Sequence, residues 1–158
     1  MGGMTDIDPR LDRARALARD DELEEVLELL LGSSIRRQLW LIFLDDEHRI
    51  TGPLMPSEDV PRCPDGPMQT DDLGEMTWAR LLGHRLSGIA EMIDAAQVVL
   101  VWERPGPNAF QAQDLAWARA MSHACAESGM ALRAQFLLHD TGIRMLTLDD
   151  HLGWSAAT

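Results

Sequence analysis

Gln97-Val98-Val99-Leu100-Val101-Trp102-Glu103-Arg104-Pro105-Gly106-Pro107 is the stretch whose reading decides the fold. Residues 97–102 form an almost unbroken apolar run of the length of one buried strand. Pro105, Gly106 and Pro107 then interrupt regular structure. A helix is expected from about Phe110, with Trp117 and Met121 on one side and Gly129 as its stop. Strand, loop and helix in this order make a crossover unit of an α/β domain.

Outward from that unit, residues 39–44 and 48–54 read as two strands joined by the polar turn Asp45-Asp46-Glu47. Residues 131–138 and 143–148 read as another strand pair around Asp140-Thr141-Gly142. Residues 71–95 carry Leu82, Leu86, Ile89 and Ile93 at helical spacing, which predicts a long amphipathic helix. Between them, residues 56–70 contain Pro64-Asp65-Gly66-Pro67, lack periodicity and are expected to form a long surface loop. Asp8-Pro9 suits a helix start, and Asp21 with Glu24 suits a second one that Leu31-Gly32 ends. A single helix would set its arginines before its acids, against the helix dipole, so a short helical pair broken near Asp20 is expected. The second of these has an apolar stripe, Leu23, Val26, Leu27, Leu30 and Leu31, that must be covered by the chain's own sheet or by another molecule.

The order of these elements, with strings such as Leu39-Trp40-Leu41-Ile42-Phe43-Leu44-Asp45, resembles the JAB/MPN metalloprotease-like domain over residues 34–148, especially its bacterial RadC-type branch. In that family a strand ends in His-x-His-Pro and a Ser-x-x-Asp opens the next helix. Here Pro105 matches the proline, Asp114 matches the aspartate and Gln111 replaces the serine, while Trp102 and Arg104 stand at the two histidine positions. The family's general-base glutamate has no carboxylate counterpart in Arg36-Arg37-Gln38-Leu39-Trp40. The resemblance therefore implies a degenerate member: a three-layer α/β domain with a mixed β-sheet flanked by helices, as in the cytidine-deaminase-like folds, preceded by the short N-terminal helical pair. The corresponding division is residues 1–33 helical, 34–150 the JAB/MPN-like domain and 151–158 a tail.

Two histidines at i and i+2 on a strand share a face and can pinch one ion, whereas an indole only donates and a guanidinium is a permanent cation. Neither catalysis nor a metal or other cofactor is expected at that position. Arg104 can pair there with Asp114 instead, or lie solvated in the loop. Members without the metal site act as scaffolds in the family, and the resemblance implies the same here, with Trp102, Glu103, Arg104 and Asp114 as candidate binding residues beside the loop of residues 56–70.

Composition narrows the partners. The 158 residues are 46% hydrophobic, sufficient for one folded domain. A formal net charge of −12 disfavours nucleic acid and anionic membrane. The 14 basic residues are all arginine, and no apolar run approaches the ~20 residues of a membrane helix. With two cysteines and no recognisable secretion signal, a cytoplasmic location is expected. The expected partner is a protein or a second copy of the chain.

Other candidates are weaker. His123 and Cys125 lie about 200° apart around a helix and cannot share a metal. His139 and Asp140 are adjacent at a strand end and point to opposite faces. A rearranged hydrolase, peptidase-like or deubiquitinase-like, would have to draw ligands from His84, His139 or His151 on separate elements. A small-molecule-binding cleft is the remaining alternative.

Overall fold

A computed structural model of the chain describes residues 12, 15–58, 60, 61, 64, 67–70 and 74–146. The elements are α1 (Asp20–Leu31), β1 (Gln38–Leu44), β2 (Ile50–Ser57), β3 (Pro67–Thr70), β4 (Gly74–Thr77), α2 (Trp78–Met92), β5 (Gln97–Glu103), α3 (Ala112–Ser128), β6 (Leu132–His139) and β7 (Gly142–Met145). Five strands form a mixed sheet in the order β2-β1-β5-β6-β7, and β3 with β4 forms a separate hairpin. Only the β5–β6 pair is parallel, because α3 carries the chain back between them, whereas β1–β2 and β6–β7 need only tight turns. The expected α/β domain with a mixed sheet is thus present.

The central strands are apolar on both faces, and strand alternation sorts their side chains into two cores. Leu39, Leu41 and Phe43 of β1 join Val98 and Leu100 of β5 against α2 and α3, which supply Leu86, Trp117, Met121 and Cys125. Ile42 and Leu44 join Val99, Val101, Phe136 and Leu138 with Leu23, Val26 and Leu27 of α1. The apolar stripe of α1 is therefore covered largely by its own sheet, although Leu30 at its C-terminal end remains 39% exposed.

Several boundaries differ from expectation. Of the expected first helix, residues 15–19 are irregular backbone, and most of the remainder lies outside the described residues. Leu17 is buried in the α1-side core and its N–H bonds His48 O at 2.7 Å, which holds that segment out of a helix. The cap of α1 lies two residues early: the N–H of Arg19 donates to Glu22 Oε1, and Asp21 is already helical. The stretch expected to be one long loop instead continues β2 to Ser57 and later forms β3, because residues 67–70 find backbone partners in residues 74–77. That pairing removes residues 74–77 from the expected helix, so α2 begins at Trp78, where the extended backbone of Thr77 lets its hydroxyl accept from Arg80 N at 3.2 Å. The last strand stops at Met145; residues 147 and 148, and the tail of residues 151–158 with Trp154, lie outside the described residues. No helix among the described residues is long and apolar enough to cross a membrane.

The α2–α3 contact depends on Gly83. A Cβ there would sit 3.0 Å from Ala124 O and 3.1 Å from Ala124 Cβ, so the two helix backbones approach as closely as glycine permits. Gly83→Leu is expected to lower unfolding free energy by about 1–3 kcal/mol through overpacking, measured by urea denaturation, whereas a leucine at the open position of Gly88 should not destabilise.

Candidate functional site

The register of the sheet brings the start of β1 beside the end of β5, with Gln38 opposite Glu103 and Leu39 opposite Trp102. Beyond that point the chain leaves the sheet for α3, and a cavity of about 250 Å³ opens between the strand ends and the first turn of the helix. Trp102, Arg104, Gln111, Gln113, Asp114 and Trp117 line it, with Arg37 and Val60 closing the other side. Clefts outside the carboxyl ends of strands, where neighbouring connections diverge, are the usual ligand positions in open α/β sheets.

Arg104 and Asp114 meet directly. The Nε of Arg104 donates to both carboxylate oxygens at 3.2 Å, and a terminal nitrogen reaches Oδ2 at 2.8 Å, with each side chain only 11% exposed. The same guanidinium donates to the carbonyls of Pro107 and Ala109, both at 2.8 Å. Asp114 also accepts from the N–H of Gln111, capping the start of α3. Gly106 permits this wrap: its φ is +127°, and a Cβ would lie 3.0 Å from the Arg104 guanidinium. The expected pair is therefore a buried fork rather than a solvated loop contact, and it folds the β5–α3 loop around itself.

Trp102 is both core and wall. Its ring packs on Trp117 with centroids 5.3 Å apart and planes at 40°, and its Nε1 donates to Gln135 Oε1 at 2.8 Å. Gln135, only 4% exposed, spends its amide nitrogen on Ala118 O and Ser122 Oγ. Trp117 donates to Pro61 O, and Arg37 donates to the carbonyls of Val60 and Pro61. These bonds hold the segment after β2 at the cavity mouth, as expected for part of the loop of residues 56–70.

Glu103 also lines the cavity. Four donors fill its carboxylate, among them Trp40, which packs on the α1-side core. Those donors are the N–H groups of Ile35 (2.6 Å) and Arg36 (3.0 Å), Gln38 Nε2 (2.8 Å) and Trp40 Nε1 (2.8 Å). Burial pushes the carboxyl pKa up, but these bonds outweigh it and leave the group below the usual glutamate range. Through these bonds Glu103 tethers the start of β1. Arg37, Gln113 and Trp117 also line the cavity without having been marked by spacing, and Gln135, a glutamine inside the apolar run of β6, holds Trp102 through its amide oxygen.

The remaining candidates do not converge. His123 is exposed and paired with Glu127, whereas Cys125 is buried and its thiol is pushed up to about 11 by desolvation. His84 borders a different groove with Arg80 and Glu127, His139 lies at the end of β6, and His151 is outside the described residues. Among the described residues no three His, Cys, Asp or Glu side chains are placed to hold one metal ion. Asp140 accepts from Ser34 Oγ at 2.8 Å and forms no dyad with His139. The Nδ1 of His139 accepts from Thr141 N at 3.3 Å, which requires a neutral ring protonated on Nε2. Desolvation, then the charge of Arg104 and more weakly that of Arg144, lower the His139 pKa against the opposing pull of Asp140 and Glu28.

Two outcomes follow. Trp102→Ala should cost about 3 kcal/mol in urea denaturation and Glu103→Gln about 2 kcal/mol, the first by opening a void and orphaning Gln135, the second by turning an amide toward filled donors. Because the folded pKa of His139 is lowered, the unfolded chain binds its proton first as pH falls below ~6.5, so stability should decline there. His139→Asn, whose amide oxygen can still accept from Thr141, should remove that slope between pH 7.5 and 5.5.

No protein-family model matches this chain, and no curated protein matches it.

Proposed function

We propose that the chain is a cytoplasmic, non-catalytic domain of JAB/MPN-like type, a three-layer arrangement in which α1 and the α2–α3 pair flank the sheet. It works as a binding or scaffold module through protein–protein interaction, its partner being another protein or a second copy. The observation that carries this reading is the cavity at the end of β5, walled by Trp102 and Trp117 in front of an ion pair whose members neutralise each other. Preformed concave sites with a few convergent polar groups are the common form of recognition sites, and buried aromatic anchors dominate interface energies. The positions that match metal ligands in the family are committed to packing and to loop closure, which supports binding over hydrolysis. The net charge of −12 argues against nucleic acid as the partner.

A photo-reactive benzoylphenylalanine placed at Gln113 in cells tests this. It should give a covalent adduct with one protein, identified by mass spectrometry, and the same probe at Glu91, exposed at the far end of α2, should not. Adducts of equal yield from both positions, or from neither, would remove the cavity as the interaction site.

A further inference from the structure

We propose that the β5–α3 cavity is an anchor pocket for one uncharged aromatic side chain of the partner, with the adjoining peptide backbone bound by Gln113. This rests on the binding-module reading and adds what the module recognises. Size comes first: about 250 Å³ lies below the roughly 300–1,000 Å³ of pockets for drug-sized ligands and suits a single ring-bearing side chain.

The walls then select by charge. The Arg104 guanidinium is spent on Asp114 and two carbonyls, and the Glu103 carboxylate on four donors. Arg37 is spent on the carbonyls of Val60 and Pro61. An entering cation or anion would lose its water and meet only charges that already have partners, so the complementary occupant is neutral.

The indoles select by shape. The N–H of Trp102 is spent on Gln135 and that of Trp117 on the carbonyl of Pro61 at the mouth, so neither indole offers the cavity a free donor. Trp102, half-buried and packed on the buried Trp117, leaves carbon surface for a further ring in an offset or edge-on contact. Gln113 supplies uncommitted polarity, next to the exposed Gln111 on the same wall. It lies half-buried on the first turn of α3, its amide holds no side-chain hydrogen bond among the described residues, and it offers the donor and acceptor that a peptide unit needs.

The test is an NMR titration of the whole chain with the N-acetyl amides of phenylalanine, leucine, arginine and aspartate, following the indole resonances of Trp102 and Trp117. The phenylalanine amide should shift both indoles and bind about fivefold tighter than the leucine amide. The arginine and aspartate amides should bind more weakly than leucine. Gln113→Leu, with an unchanged melting temperature, should weaken the phenylalanine amide about fivefold while keeping its shift pattern. Equal or tighter binding of the arginine or aspartate amide would overturn the proposal, as would an affinity indifferent to Gln113→Leu. If none of the four amides shifts the indoles while the adduct from position 113 forms, the aromatic anchor is refuted and the binding module stands. The reverse pattern refutes the module and leaves a pocket for small aromatic amides.

Discussion

The Glu103 carboxylate is the interaction on which the rest of the structure depends. Four donors from residues 35 to 40 close on its two oxygens, and they come from the segment that enters β1. A buried carboxylate is costly unless its lone pairs are filled, and here the filling groups fix the position of a whole strand start. Because alternation sends Trp40 to one face and Leu39 to the other, the same tether sets the strand start from which Arg37 reaches the cavity. The electrostatic requirement of one carboxylate thereby positions a wall on the α3 side.

The division of labour across the sheet follows from residue spacing. β1 and β5 are apolar on both faces, so each face must be covered, and the chain supplies one helix to the first and two to the second. On the two-helix side Gly83 lets α2 meet α3 at backbone distance. The cavity opens on the same side, between the strand ends and the first turn of α3.

Much of this was legible in the residues. Periodicity located β1, β5, α3 and the β6–β7 pair, since apolar runs bounded by Gly, Pro and Asp are determined locally. The β3–β4 hairpin was not legible: it is defined by pairing of residues 67–70 with residues 74–77, and Pro67 and Gly74 are disfavoured in strands. The irregular path of residues 15–19 was hidden for the same reason, as it depends on Leu17 reaching the core and on the carbonyl of His48. At the site, the pairing of Arg104 with Asp114 and the shared face of Trp102 came from strand and helix geometry. The filling of Glu103 was not legible, since the four donors that occupy it lie more than sixty residues earlier in the chain.

The loop after β5 has no regular secondary structure, yet two arginines lace it from opposite sides. Arg104 binds the carbonyls of Pro107 and Ala109 from within, while Arg144 of β7 binds the carbonyl of Asn108 and lies 4.3 Å above the Phe110 ring. A guanidinium keeps its charge to above pH ~12 and holds two acceptors in one plane, which a lysine cannot do. The side of the rim formed by this loop is therefore held before anything enters the cavity. Conformational entropy that a mobile loop would lose on each encounter has here already been lost during folding, so that cost is absent from a ligand's free energy of association.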